Sequence, residues 1–221
     1  MLQKTRSVVL NNLKYGESGL IVRVFTEDFG RQSLIVHGVR KKKSKFNAQL
    51  FEPLSLLEIV FYFKESRELH TLKEVRPDVI LQHIFFDIRK STLAIFLSEI
   101  LSRSLQEVEP NKPLFDFLFH AIQILDVAET GVENYHIVFL LQLTKFLGIY
   151  PKNNPDFIYS LLGSEDQQGQ FSELSLSDIG KLSVSAENRS ALLDVLINYY
   201  KQHLEGMGEI KSLPVLRSVF S

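Results

Sequence analysis

The hydrophobic and polar positions of this chain follow two different periods, and the change falls near residue 77. Before it, five apolar runs show the alternation or the Val/Ile/Leu enrichment of β-strands. They are TRSVVLNNLK, GLIVRVFTE, RQSLIVHGV, LFEPLSLLEIVFYFK and ELHTLKEVR. Residues 26–30 have turn chemistry, and Gly30 can take a positive φ there. Five short strands separated by turns predict a small closed barrel.

After Pro77 the apolar residues recur three and four positions apart, which is the period of an amphipathic helix. The pattern predicts helices around residues 84–101, 114–125, 135–146 and 192–200, and a short helix capped by Ser175 or Ser177. The fold class expected is therefore α+β, with a five-stranded barrel in residues 1–77 and a helical domain in residues 78–221. Residues 152–173, rich in Asn, Pro and Gly, are predicted to be loop.

Composition narrows the possible chemistry. The chain has 221 residues and no cysteine, which excludes disulfides, thiolate zinc sites and cysteine nucleophiles. Its longest apolar runs, such as LLEIVFYF, fall short of the ~20 residues of a membrane-spanning helix. The first residues lack the apolar core of a signal peptide. We expect a soluble, cytoplasmic protein that needs no metal or cofactor.

The charge is unevenly distributed along the chain. Residues 1–50 carry ten Lys or Arg and three acids, a net charge of +7, while the remainder carries −8. The densest part is VHGVRKKKSKFN, in which Arg40, Lys41, Lys42, Lys43 and Lys45 lie within six residues. A basic head on an acidic body predicts an anionic partner for the head.

The basic stretch has two simpler explanations, a solvated loop or a localisation signal. Against these, four further cations come from other predicted strands of the barrel, namely Arg6, Lys14, Arg23 and Arg31. Phosphates attract such clusters whatever the base sequence, and aromatic side chains stack on unpaired bases. Phe29 and Phe46, in predicted loops, are the stacking candidates. The pattern therefore favours a nucleic-acid site.

Signals for an enzyme are weak. The chain has no phosphate-binding loop, no H-E-x-x-H motif and no nucleophile elbow. A nuclease would need paired carboxylates near the basic face, where Glu17, Glu27 and Asp28 are the acids available. The sequence predicts a protein that is not an enzyme and has no catalytic residues.

The order of these features resembles the RecO family of bacterial recombination mediators. The resemblance rests on KYGESGLIVRVFTEDFGRQSLIVHGVRKKKSKFN, on Pro53 within FEPL, on LHTLKEVRP, and on FLGIYP and IKSLPVLRSV nearer the end. It covers nearly the whole chain. Many members carry a four-cysteine zinc module where this chain has residues 152–173, so zinc-dependent properties do not carry over.

The resemblance implies an OB-fold barrel that binds single- and double-stranded DNA, anneals complementary strands and assists recombinase loading in recombinational repair. Implied partners are RecR and the acidic C-terminal tail of the single-strand-binding protein. Lys145, Lys152 and Arg217 are candidates for meeting that tail. The free protein is expected to be a monomer in the bacterial cytoplasm, associated with the nucleoid. The alternative function is an adaptor whose barrel binds an acidic protein surface without binding DNA.

Overall fold

A computed structural model describes residues 1–39, 46–105, 109–151 and 175–220. The chain forms a five-stranded barrel followed by helices, which confirms the predicted α+β class. The strands are β1 (Leu2–Tyr15), β2 (Gly19–Thr26), β3 (Gly30–Val36), β4 (Leu56–Tyr62) and β5 (Leu69–Pro77). The described α-helices are α1 (Ile88–Ser104), α2 (Lys112–Val127), α3 (Tyr135–Phe146), α4 (Ala186–His203) and α5 (Leu213–Phe220).

The barrel closes in the strand order β1-β2-β3-β5-β4. Neighbouring strands are antiparallel except β3 and β5, which pair in parallel through Ser33–Leu69, Leu34–His70 and Ile35–Thr71. A closed five-stranded barrel of this kind is the OB-fold architecture. Burial alternates strictly along β3, as the two-residue period of a strand requires. The alternating inward positions, including Val22, Leu34 and Phe61, fill the interior.

The β2–β3 turn forms as its residues predict. Gly30 has a φ of 59°, in the left-handed region where the absence of a Cβ avoids strain. The Thr26 Oγ1 accepts a hydrogen bond from the Phe29 N–H at 3.0 Å and donates to the Gly30 carbonyl at 2.8 Å. These contacts fix the register of β2 against β3, because they close the hairpin at a single position.

The fourth strand is shorter in the structure than the sequence predicts. Residues Ala48–Phe51 form a 3₁₀ turn, capped by the Asn47 side chain, which accepts from the Gln49 N–H at 3.0 Å. β4 begins only at Leu56. Pro53 explains the difference, since it has no N–H to donate to a neighbouring strand. The following Leu54 has a φ of 64°, which also departs from strand geometry.

The chain packs into two compact units. The barrel unit comprises Met1–Gln82 and Leu97–Ile122, and the helical unit comprises His83–Phe96 and Gln123–Ser221. The barrel unit therefore includes the later part of α1 and most of α2 in addition to the strands. The division into domains at residues 1–77 and 78–221 stays a prediction, since compactness does not establish independent folding.

The helical unit is held by buried aromatic residues whose polar ends are satisfied. The Tyr200 hydroxyl donates to the Leu140 carbonyl at 2.8 Å, and the Tyr199 hydroxyl donates to the Ile149 carbonyl at 2.7 Å. These bonds join α4 to the helix and turn that precede Pro151. None of the described helices is long and apolar enough to cross a membrane.

Candidate nucleic-acid interface

The outward side of β1, β2 and β3 contains several of the predicted site residues. Side chains alternate along a strand, so positions between the interior residues project away from the core. Cross-strand pairs place Asn11 opposite Arg23, Arg23 opposite Ser33, and Phe25 opposite Arg31. The outer face, as we define it, comprises Asn11, Leu13, Tyr15, Gly19, Ile21, Arg23, Phe25, Arg31, Ser33 and Ile35.

One end of the outer face is covered by residues that follow the strands in sequence. The Asn11 Nδ2 donates to the Ser102 Oγ at 3.1 Å, and the Ser102 Oγ donates to the Leu10 carbonyl at 3.3 Å. Phe25 is only 2% exposed although it projects outward. We call this part, with Asn11, Phe25 and Arg31, the covered end.

Arg31 is bound by the chain itself. Its Nη1 donates to the Leu105 carbonyl at 2.9 Å, directly after the last residue of α1. The end of a helix carries partial negative charge, so a guanidinium there is stabilised. Burial lowers the pKa of Arg31, and the positive charge of Arg23 lowers it further. Arg31 thus anchors α1 to the barrel.

Arg6 is held in a second internal arrangement, the Arg6 network. Its guanidinium donates from Nε to the Glu27 Oε2 at 2.8 Å and from Nη2 to the Glu27 Oε1 at 2.9 Å. It also lies over the Phe119 ring, 4.8 Å from the ring centroid. Lys112 pairs with the same Glu27 carboxylate. Because Arg6 and Lys112 donate to it, the pKa of Glu27 falls to about 2.

The acids considered for a nuclease are in different environments. Glu27 is neutralised by two cations of the Arg6 network. Asp28 accepts a hydrogen bond from the Thr5 Oγ1 at 2.7 Å. Glu17 is exposed in the β1–β2 turn. Within the described ranges, no group of three or more His, Asp or Glu side chains could hold a metal ion.

The other end of the outer face is open. Leu13 is 49% and Tyr15 48% exposed, and Lys14 is exposed between them. Ile21 and Arg23 on β2 are partly exposed. No described acid forms an ion pair with Lys14 or Arg23. We call Leu13, Tyr15, Ile21 and Arg23, together with the neighbouring Lys14, the open end. Lys14 lies between Leu13 and Tyr15, so its side chain projects from the opposite side of β1. Lys14 and Arg23 carry positive charges that no described acid neutralises.

The open end lies where the chain turns into its basic stretch. The pairs Tyr15–Gly19 and Leu20–Val36 bring the β1–β2 turn and the end of β3 to the same end of the barrel. Gly38 then has a φ of 71°, consistent with the predicted bend. Arg40, Lys41, Lys42, Lys43 and Lys45 follow Val39 in sequence but lie outside the described residues.

The two phenylalanines predicted to stack on bases pack against the barrel core. Phe29 and Phe46 are partly buried against the interior cluster. The Phe29 ring centroid lies 5.7 Å from that of Phe61 and 5.1 Å from that of Phe63. Part of each ring is thereby engaged within the protein, and their role in stacking stays a prediction.

Comparison with known proteins decides the family. The model for the recombination protein O N-terminal region matches residues 1–78, and that for its C-terminal region matches residues 86–155. A DNA repair protein RecO from Bacteroides fragilis is 33% identical over 242 residues, and one from Flavobacterium johnsoniae is 36% identical over 235. Another, from Azobacteroides pseudotrichonymphae, is 31% identical over 241 residues. These alignments cover 99–100% of this chain and of each relative.

The chain belongs to the RecO family. The resemblance drawn from the sequence is thereby confirmed, as is the OB-fold barrel followed by helices. Membership places the chain in a family of DNA repair proteins.

The partner-binding candidates of this RecO-family chain fall in different surroundings. Arg217 lines a pocket of about 280 Å³ in the helical unit and pairs with Asp194. Lys145 is exposed, and its Nζ lies 5.1 Å from the centroid of the Tyr150 ring. Lys152 lies outside the described residues, as does the rest of the 152–173 segment. Lys145 is not among the residues that line the pocket.

The pocket is largely apolar, and its charged lining residues are two arginines, Arg189 and Arg217, and one acid, Glu187. Its lining includes Leu193, Leu216 and Phe220 together with Arg189. Arg189 is itself fixed, since its Nη2 donates to the Phe220 carbonyl at 2.7 Å and its Nη1 to the Val184 carbonyl at 3.2 Å. His136, also in the lining, is buried, and burial together with the charge of Arg189 lowers its pKa to about 3. It therefore stays neutral at physiological pH.

Sequence reasoning missed two features of the barrel unit. The first is the set of partners of Arg6 on α2, which lie more than 100 residues away and have no local signal. The second is Tyr15, whose position beside a turn glycine and a lysine could have predicted an exposed aromatic.

Proposed function

We propose that this protein is a DNA-binding recombination mediator that binds single- and double-stranded DNA. It anneals complementary strands and assists the loading of recombinase. The observation that carries the proposal is the open end, where Lys14 and Arg23 have no acidic partner among the described residues. This surface belongs to the barrel of a DNA repair family, at the end where the chain continues into five cations within six residues.

The proposed mechanism is electrostatic. Lysine and arginine side chains displace the counterions that surround a DNA strand, so binding is independent of sequence and falls steeply with salt. Two strands held on one basic surface repel each other less, and pairing then follows from their proximity. The mechanism requires no nucleotide cofactor and no catalytic side chain.

The structure supports a division among the predicted DNA-binding cations. Lys14 and Arg23 of the open end, with Arg40, Lys41, Lys42, Lys43 and Lys45, are proposed to contact phosphates. Arg6 and Arg31 are engaged with Glu27 and the Leu105 carbonyl, so their main contribution is to the field around the barrel. Phe29 and Phe46 would stack on bases only with the exposed part of each ring.

A second surface is proposed to bind protein partners, which by family resemblance are RecR and the acidic tail of the single-strand-binding protein. The helical-unit pocket supports the second of these. It joins apolar side chains to the guanidinium of Arg217, which suits a peptide that carries both acidic and apolar residues. Lys145 and Lys152 are proposed as further contacts. We propose that the free protein is a cytoplasmic monomer that associates with the nucleoid.

The test is to change Lys41, Lys42, Lys43 and Lys45 together to alanine. Affinity for unrelated DNA sequences should fall alike, by about 100-fold or more near physiological salt. The plot of log affinity against log salt should become shallower by about 3 to 4 for duplex DNA. Binding can be measured by fluorescence anisotropy across salt concentrations, alongside annealing of complementary strands coated with single-strand-binding protein.

A matched control changes four lysines outside the proposed site, Lys64, Lys181, Lys201 and Lys211. The same loss of charge should leave the slope nearly unchanged. A quadruple site variant with the wild-type slope would overturn the proposal. Negligible DNA affinity of the wild type at moderate salt, together with retained binding to an acidic protein partner, would favour the adaptor instead.

A further inference from the structure

The open end contains an exposed aromatic ring that nothing so far assigns a role. Tyr15 is the last residue of β1 and is 48% exposed. Its cross-strand partner is Gly19, the first residue of β2. A glycine there leaves no side chain opposite the ring.

Gly19 is required at this position by close packing. A Cβ atom on Gly19 would lie 2.9 Å from the Tyr15 carbonyl oxygen and 3.2 Å from the Val36 carbonyl oxygen. It would also lie 3.8 Å from the Tyr15 Cδ1. One edge of the Tyr15 ring therefore lies within van der Waals reach of a side chain at position 19, and about half of the residue is exposed.

The side chains beside Tyr15 suit a nucleotide. Leu13 and Ile21 form the next cross-strand pair, and Arg23 follows two residues further along β2. Lys14 is adjacent in sequence, and His37 is exposed directly after β3. An aromatic ring with apolar neighbours and nearby cations matches the stacking platforms of proteins that bind single strands.

Tyr62 provides an internal comparison on the same barrel. It is 53% exposed at the end of β4, opposite Leu2 and Thr71. The turn after it, residues 63–68, contains two cations and two acids, and therefore no net charge. Exposure alone does not distinguish the two tyrosines, and the turn after Tyr15 carries one acid, Glu17. What sets Tyr15 apart is its place on the same face as Arg23, close to where the chain enters its basic stretch.

We propose that Tyr15 stacks on an unpaired base of single-stranded DNA, and that the open end is a nucleotide-binding subsite. This inference rests on the proposed DNA binding and adds base contact to it. A phosphate next to the stacked base would meet Arg23, which lies on the same face as Tyr15, and Lys14 adds positive charge at the edge of the subsite. A duplex hides the faces of its bases, so the subsite favours single strands and releases a base when it pairs.

Binding of a 20-nucleotide oligo(dT) and of a duplex of equal length tests the proposal. Tyr15→Ala should weaken oligo(dT) binding by at least about fivefold, the lower end of the usual effect of removing one stacking contact. It should leave the salt slope and duplex binding nearly unchanged, because no charge is removed. Tyr15→Phe should retain most of the wild-type affinity for oligo(dT). Tyr62→Ala should leave the affinity for both oligo(dT) and the duplex unchanged.

Fluorescence gives a second measurement that does not depend on the stability of the alanine variant. The chain has no tryptophan, so Tyr15→Trp and Tyr62→Trp each carry a single reporter. Oligo(dT) should quench the first and leave the second nearly unchanged, since stacking on a base quenches tryptophan.

The outcomes separate this inference from the function on which it rests. Salt-dependent DNA binding by the wild type, without quenching at position 15 and with full affinity in Tyr15→Ala, overturns the stacking role alone. Equal losses for single strands and duplex show a backbone contact and overturn it too. Absence of DNA binding by the wild type rejects the proposed function itself.

Discussion

The two ends of the barrel's outer face share residue types but differ in their surroundings. Each presents an arginine and an aromatic residue on paired antiparallel strands. At the covered end, Arg31 donates to a carbonyl after α1 and Phe25 is almost fully buried. At the open end, Arg23 has no described acidic partner and Tyr15 remains half exposed.

This difference shows that a count of positive charges overestimates the number of cations that can contact a ligand. Arg6 and Arg31 contribute to the net charge of +7 in residues 1–50, yet both are engaged in contacts that hold the barrel unit together. The open end carries two of the ten cations of residues 1–50, Lys14 and Arg23, and neither pairs with a described acid. Substitutions at the covered end are therefore expected to affect mainly stability, and substitutions at the open end mainly DNA binding.

The largest expected effect is on stability, at Leu10, the residue of β1 that precedes Asn11 of the covered end. Leu10 is fully buried and its carbonyl accepts from Ser102, whereas Leu13, three residues later on β1, is 49% exposed. Leu10→Ala should lower the free energy of unfolding by about 2–5 kcal/mol, because it leaves a cavity. Leu13→Ala should lower it by less than about 1 kcal/mol.

Urea denaturation followed by circular dichroism measures both variants, and each serves as the control for the other. The substitution and the strand are the same, so the difference reports how far each leucine is buried. Equal losses would show that the open end is also packed against other residues, contrary to the proposed interface.

The Arg6 network predicts an intermediate effect that depends on pH. The pKa of Glu27 is about 2 in the folded protein, below its ordinary value of 4.5, because Arg6 and Lys112 donate to the carboxylate. The resulting stability is fully present above pH 4.5 and is lost as pH falls towards 2. Glu27→Gln should therefore cost on the order of 1–2 kcal/mol at neutral pH, reduced by solvent screening, and almost nothing near pH 2.

The measurement is the free energy of unfolding of wild type and Glu27→Gln at several pH values between 7 and 2. Glu17→Gln is the matched control, since it removes an exposed carboxylate from the β1–β2 turn. A constant difference between wild type and Glu27→Gln across this range would contradict the assigned pairing.

Much of the barrel was predictable from local pattern. Strand periodicity is a local signal, and Gly30 and Gly38 stand at the bends that they predict. The predicted positions of β1, β2, β3 and β5 are confirmed. The exception is the start of the fourth predicted strand, before Leu56. Its apolar residues predicted a strand, whereas Pro53 prevents one there. Helix α4 was recognised by its period, although it begins earlier, at Ala186.

The candidate site was less predictable because its properties depend on residues distant in sequence. Nothing near Arg31 indicates that Leu105 will accept its hydrogen bond, and nothing near Arg6 indicates Phe119. The exposure of Tyr15 depends on its pairing with Gly19, which is set by strand register. The sequence gives the position of each charge, but only the packed structure shows whether that charge is already paired within the protein.

The smallest expected effect tests the comparison most directly, through the salt dependence of DNA binding. Arg23→Ala should weaken duplex binding several-fold and reduce the slope of log affinity against log salt by about 0.9, the contribution of one phosphate contact. Arg31→Ala should lower the melting temperature by removing the contact with Leu105, while changing the slope much less. Both variants lose one positive charge from the same face, so a difference in slope measures direct contact rather than net charge.

If Arg31→Ala reduced the slope as much as Arg23→Ala, the DNA would reach the covered end. The contact between Arg31 and Leu105 would then have to open on binding, and the open end would be only part of a larger surface.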